Sequence, residues 1–159
     1  MTQMPFLGEY VTEPELPTRA LTLYQPYAWL VAHGHKPIEN RPPGFVHKRF
    51  RGWFWIHAGA KPKLDQWLLA KAMCDQYGFT GLPAFSDVHA LPLGAIIGRA
   101  RIVGIVAPHP KEPVPWHLPD QYGFIVVDAT PLKRPVECRG YQAFWHVPTA
   151  VLAALKEAA

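Results

Sequence analysis

Cysteine is scarce in this 159-residue chain: only Cys74 and Cys138 occur. With no second pair, neither a disulfide framework nor a four-thiolate zinc site can be built, and both thiols are expected reduced and partly buried. Eight histidines are present, but none falls in a His-Glu-x-x-His or paired Cys/His spacing, so no metal and no cofactor is expected. A phosphate-cradling glycine loop and a Gly-x-Ser-x-Gly elbow are both missing, which removes the common nucleotide-hydrolysing and serine-hydrolase readings. No window approaches the roughly 18 uncharged apolar residues that cross a bilayer. The N-terminus carries Glu9, Glu13 and Glu15 instead of a basic and then apolar export signal. A chain with no membrane partner, working in the cytoplasm, is the expectation.

Proline and aromatic residues are plentiful, with 18 Pro, 6 Trp, 6 Tyr and 8 Phe. That balance suits short strands and rigid loops better than a helical bundle. Charged residues make up 18% of the chain and the formal net charge is +4. The excess is local: residues 33–63 hold Lys36, Arg41, Lys48, Arg49, Arg51, Lys61 and Lys63 against Glu39 alone. An electropositive segment of this kind points to a polyanionic or anionic partner.

Residues 1–19 lack an apolar period and read as an extended or disordered leader, with one domain over 20–159. Alternation over 21–24 predicts a short strand. Pro26 and Gly34 bracket a helix over 26–33, in the usual order of proline at the start and glycine past the end. A strand stub at 38–41, a loop at 42–51 and an aromatic strand at 53–58 follow. Leu64, Trp67, Leu68, Ala72 and Met73 at helical spacing predict a helix over 62–77 with those residues inward. Further strands are predicted at 94–106, where Gly98 suggests a bend or bulge, at 122–128 and at 136–147, interrupted by Pro131, Pro135 and Gly140. Residues 108–119, with five prolines, form a rigid connector, and 148–157 a terminal helix. The pattern describes five or six short strands with two or three helices, a small barrel decorated by helices.

The chemistry concentrates in Gly34-His35-Lys36-Pro37-Ile38-Glu39-Asn40-Arg41. Strand alternation turns Glu39 and Arg41 to one face, and Lys36 reaches that face from the turn. Arg41 offers a bidentate fork, Glu39 accepts from an amine or amide, and Lys36 binds an anion or serves as a base if desolvated. Tyr24, Tyr27 and Trp29 before the basic loop, and Trp53, Trp55 and His57 after it, interleave rings with cations as a single-stranded nucleic acid or nucleoside site requires. An exposed ion-pair network with core rings is the plain structural alternative. The proline-rich connector with Trp116 offers a protein-docking alternative.

Three runs in order, Leu21-Thr22-Leu23-Tyr24-Gln25-Pro26-Tyr27-Ala28-Trp29-Leu30, Gly34-x-Lys36-x-x-Glu39-x-Arg41 and Arg51-Gly52-x-x-x-Ile56-His57-Ala58, resemble the ASCH domain. Gly94-Ala95-Ile96-Ile97-Gly98, the run from Tyr122 to Asp128, and Pro135-Val136-x-Cys138-Arg139-Gly140 with Phe144-Trp145 extend the resemblance over roughly residues 20–148. It implies a stand-alone, bacterial-type member with an α+β fold: a small PUA-like mixed β-barrel of about five or six strands with two to four flanking helices. It further implies a cleft lined by Lys36, Glu39 and Arg41, and recognition of RNA, another single-stranded nucleic acid or a modified nucleoside. Tyr24, Gln25, Pro26, Trp29, Arg41, Arg49, Arg51 and His57 are the implied binding residues. Some small relatives are amidohydrolases that remove an acetyl group from the 4-amino nitrogen of cytidine, and others are described as ribonucleases. In those amidohydrolases a threonine stands where this chain has Glu39. Catalysis here would need Glu39 as general base toward water, with Lys36 supplying charge or a proton.

Overall fold

A computed structural model describes residues 16–159. Of the expected leader, residues 1–15 lie outside the described residues. The remainder, 16–19, runs into the domain. Val147 donates its N–H to the Thr18 carbonyl at 2.9 Å, and the Trp55 indole donates to the Pro17 carbonyl at 2.6 Å.

Six strands and three helices follow in the order β1 (Arg19–Leu23), α1 (Tyr27–Ala32), β2 (Ile38–Arg41), β3 (Gly52–Ala58), α2 (Leu64–Gln76), β4 (Ala95–Val106), β5 (Tyr122–Glu137), β6 (Phe144–His146) and α3 (Thr149–Ala158), with a 3-10 turn at Phe85–Ala90. One sheet holds all six strands in the order β2-β5-β4-β3-β1-β6. β1 and β3 run parallel, and every other neighbouring pair is antiparallel. The fold is α+β with a mixed sheet that curls into a half-barrel.

Loop 42–51 fills the seam between the two edges, β2 and β6. The Phe45 ring sits edge-on to Phe124 on β5 and Phe144 on β6, with centroids 5.7 and 6.0 Å away. Phe50 stacks on Phe144 at 3.9 Å, and Phe144 donates its edge-strand N–H to His47 Nδ1 at 3.1 Å. An otherwise open sheet edge is covered in this way.

The 136–147 strand and the interruption of its predecessor need correction. β5 runs unbroken through Pro131 and Pro135 to Glu137. Proline is tolerated there because β2 pairs only with residues 122–125, which leaves the far side of the later part of β5 without a ladder. Pro131 also sits opposite Gly98 at a register shift. A Cβ on Gly98 would lie 2.8 Å from the Thr130 carbonyl oxygen, so the bulge predicted there has a steric reason.

The inward face of α2 also differs. Trp67, Ala70, Met73 and Cys74 are buried, whereas Leu64, Leu68 and Ala72 face solvent, Leu68 at 57% exposure. Apolar residues surround this helix almost completely, so spacing alone cannot choose a face. Trp67 decides it, with its indole N–H donating to the Pro83 carbonyl at 3.2 Å and its ring edge-on to Phe85. Trp116, the expected handle of a docking connector, is buried against Tyr77 with ring centroids 4.9 Å apart. Trp116, with the half-buried Val114 and Leu118, anchors the connector to the core and is not an exposed handle, while most of the remaining connector residues face solvent.

Candidate functional site

The turn between α1 and β2 sets the geometry of the basic motif. Gly34 takes φ +75°, a conformation open to glycine without cost. His35 and Lys36 then both donate their N–H groups to the Leu30 carbonyl, at 2.9 and 3.1 Å. This reversal turns Lys36 back under α1, where its ammonium lies 5.1 Å from the Tyr27 ring centroid and donates to the Ile38 carbonyl. β2 begins two residues later and pairs with β5, Glu39 opposite Phe124 and Arg41 opposite Tyr122.

Glu39 stands between the two cations. Its Oε2 is 3.5 Å from Lys36 Nζ and its Oε1 is 3.3 Å from an Arg41 guanidinium nitrogen. Lys36 is 2% exposed and Glu39 5%. Burial lowers the pKa of the Lys36 ammonium, and the Glu39 carboxylate opposes that shift. Burial raises the pKa of the Tyr27 phenol, and Glu39 raises it further, which keeps it protonated. Charges sunk this far gain little net stability from pairing. Among the described residues, the buried side-chain polar atoms without a hydrogen-bond partner are the Tyr27 hydroxyl, Glu39 Oε2 and Arg41 Nε. All three belong to this cluster.

A cleft of about 620 Å³ opens over the cluster, lined by Tyr24, Tyr27, Glu39, Arg41, Phe45 and Tyr141 among others. A recess of about 100 Å³ adjoins it, holding Lys36 and sharing Tyr27, Glu39, Asn40, Gln66 and Gln121. The Arg41 guanidinium lies 5.5 Å from the Phe45 ring centroid. Both hollows thus combine ring faces with a few convergent polar groups, the usual make-up of a small-ligand site.

Of the residues singled out by sequence, Tyr24, Lys36, Glu39 and Arg41 converge here. Gln25 does not: fully buried, it donates to the Pro92 carbonyl and accepts from the Trp29 N–H, bracing the start of α1 beside the buried Pro26. Trp29 packs instead with His33, His35 and Phe79. Arg49 and Arg51 are exposed on the seam loop outside the cleft lining, and Arg51 donates to the Lys48 and Phe50 carbonyls of that loop.

His57 is a buried structural link in place of a ligand contact. Its Nε2 donates to the Cys138 carbonyl at 2.8 Å, so Nδ1 accepts from the Thr22 hydroxyl at 3.1 Å, whose oxygen in turn accepts from the Trp145 indole at 3.0 Å. Desolvation lowers the imidazole pKa.

Tyr27, Asn40, Gln66, Gln121 and Tyr141 are site residues that the sequence-based set of binding residues does not contain. Tyr27 carried a signal as one of the rings beside the basic segment. Asn40 lies within the motif run, between Glu39 and Arg41, whereas Gln66, Gln121 and Tyr141 arrive from distant elements with no local pattern. Asn40 donates to the Trp116 carbonyl and accepts from the Leu118 N–H, clamping the connector against β2. Among the described residues no group of three or more His, Cys, Asp or Glu could hold a metal ion, and no helix is long and apolar enough to cross a membrane.

No family model and no curated protein matches the chain. Solved structures of the ASCH protein of Zymomonas mobilis do. One is 15% identical with a TM-score of 0.44, covering 87% of this chain and 93% of that one. Two of its single-substitution mutants give 14% identity and a TM-score of 0.48 over 87% and 94%, and 15% and 0.44 over 87% and 96%.

Proposed function

We propose that the chain is an ASCH-type domain, cytoplasmic in location, whose cleft recognises the base of an RNA nucleotide or nucleoside. The observation carrying this reading is the grouping, around one hollow, of three buried polar atoms that lack a hydrogen bond: a guanidinium N–H, a phenol hydroxyl and a carboxylate oxygen whose ion-pair partner, the Lys36 ammonium, stands off at 3.5 Å. Buried polar groups are almost always satisfied within the protein, so a concentration of exceptions at a cleft marks where a ligand completes the bonds. A carboxylate beside a guanidinium asks for a donor next to an acceptor. The amino and ring-nitrogen edge of a base provides that pair, and the ring faces of the cleft supply stacking. Calorimetric titration with cytidine, uridine, adenosine and guanosine tests the reading. One amino-bearing base should bind, and Glu39→Gln should weaken it at least about tenfold by removing a charged acceptor. A wild-type protein that binds none of the four, or a Glu39→Gln protein that binds as well, overturns it.

The burial of Lys36 beside Glu39 favours a second reading, hydrolysis of an acyl group from the 4-amino nitrogen of cytidine. Glu39 would take a proton from water as its oxygen adds to the acyl carbon, with the Lys36 ammonium stabilising the oxyanion. Collapse breaks the carbon–nitrogen bond, the proton passes to the departing amine, and cytidine and the carboxylate are released. Release of cytidine from its acetylated form, abolished in Lys36→Ala and in Glu39→Gln, supports this chemistry. Unaltered release in those variants refutes it.

A further inference from the structure

We infer that the proline-rich connector and the last turn of α2 form a second ligand site, separate from the cleft, for a small apolar molecule bearing one carboxylate.

A hollow of about 530 Å³ lies between the two elements, well inside the range of roughly 300 to 1,000 Å³ typical of small-ligand pockets. It shares no lining residue with the cleft, and only Leu118 with the recess that holds Lys36. Met73 and Tyr77 of α2, with Val114 and Leu118 of the connector, give it an apolar lining.

A flexible loop would fall onto such a surface and close it, but this one is held off. Pro108, Pro110, Pro113 and Pro119 all line the hollow, and their rings fix φ along the arch. Trp116 takes φ +69°, a left-handed conformation unfavourable for a bulky side chain. Its ring is set against Tyr77, and Asn40 holds both its carbonyl and the Leu118 N–H at 2.9 Å. Strain of this kind persists where the surroundings enforce it, and it clusters at ligand sites. The hollow is therefore preformed, as small-ligand pockets usually are.

The polar groups around it select the ligand. Lys111 brings an ammonium to the lining, and among the described residues no carboxylate lines the hollow or pairs with Lys111. His109 already has Asp120 at 3.3 Å, and His117 directs Nε2 to the Gln121 carbonyl at 2.6 Å. A cationic ligand would meet the Lys111 charge with nothing to balance it. An anion is favoured, and it belongs on the connector side, because the C-terminus of α2 presents the negative end of the helix dipole. One carboxylate answers the one ammonium, and an apolar body covers the rest of the lining.

The test titrates the full chain with 2-naphthoate, its neutral counterpart 2-naphthamide, and acetate, and follows the backbone amides by NMR. Naphthoate should move the Val114, His117 and Leu118 amides with a Kd on the order of 1 mM, as expected for about a dozen non-hydrogen atoms. Naphthamide should bind at least about threefold more weakly through loss of one exposed ion pair, and acetate should leave these amides in place. Lys111→Ala and Gln76→Glu, both at exposed positions, should each weaken naphthoate about threefold and leave naphthamide unchanged. Connector amides that stay in place well above that concentration of naphthoate overturn the inference. Shifts confined to the Arg41 and Tyr141 amides overturn it as well, since they place the carboxylate in the cleft. Naphthamide as tight as naphthoate, or naphthoate binding that neither substitution alters, shows apolar contact alone and overturns it. Acetate that matches naphthoate shows a bare charge and does the same.

Discussion

The guanidinium of Arg41 on β2 donates a 2.9 Å hydrogen bond to the main-chain carbonyl of Thr22 on β1, two strands that share no ladder. β6 pairs with β1 only as far as Leu21, so the next carbonyl along that edge is free of the sheet. Arg41 satisfies it from across the hollow while holding Glu39 with the same nitrogen. One side chain therefore ties the two lips of the half-barrel together and orients the carboxylate between them.

Arg41→Lys should separate those roles. A lysine ammonium, with a shorter reach and without the planar guanidinium, cannot meet the Thr22 carbonyl across the hollow while staying beside Glu39. Unfolding in urea should show a loss of about 1 to 3 kcal/mol with an unchanged m-value, as for a hydrogen bond to a charged group, together with weaker nucleoside binding. A variant with wild-type stability would mean that the Thr22 hydrogen bond contributes nothing.

Tyr27→Phe should move stability and binding in opposite directions. The hydroxyl is buried without a partner, so its removal relieves a desolvation cost, and stability should hold or rise by about 1 kcal/mol. Nucleoside affinity should fall roughly three- to tenfold through loss of one neutral hydrogen bond. Thermal unfolding and calorimetry on the same preparation read both, and a fall in stability would show that the hydroxyl is satisfied within the fold.

His57 should give the fold a pH dependence of definite sign. Burial lowers the imidazole pKa below its ordinary 6.5, so below that pH the unfolded chain takes up a proton that the folded chain refuses. The stability contributed by the neutral ring is complete above pH 6.5 and is lost as pH falls toward the lowered value. Unfolding midpoints measured from about pH 7.5 to about pH 5 should decline more steeply for the wild type than for His57→Gln, whose amide donates and accepts without titrating. Parallel curves would place the sensitivity elsewhere.

Gly140→Ala should cost about 1 to 3 kcal/mol by overpacking. A Cβ at that position would lie 2.5 Å from His57 Cε1 and 2.6 Å from the Thr22 hydroxyl oxygen, inside the hydrogen-bonded chain that carries the loop over the end of the sheet. Chemical denaturation checks the cost, and a neutral substitution would show that the His57 ring can swing aside.

Much of the local order is legible without coordinates. Proline and glycine bracket α1 because one presets φ and the other accepts a positive value, and the two-residue alternation of a strand brings Glu39 and Arg41 together. The course of β5 is not legible, since Pro131 and Pro135 read as breaks unless the absence of a second neighbouring strand is known. The inward face of α2 is hidden for a related reason: with apolar side chains nearly all round, only the packing of Trp67 against Pro83 and Phe85 selects it.

The sequence by itself determined which residue types and short-range spacings were available: a basic segment with one carboxylate, rings on both sides of it, and about five or six strands with helices between and after them. Tertiary structure alone decided that Lys36 is buried, that His57 and Gln25 serve the frame, and that Tyr141, Gln66 and Gln121 help build the walls of the hollows. Those outcomes depend on which distant segments the curl of the sheet brings together. Neighbours made across that distance leave no period or spacing in the chain, because they are set by packing and by the pairing of strand edges.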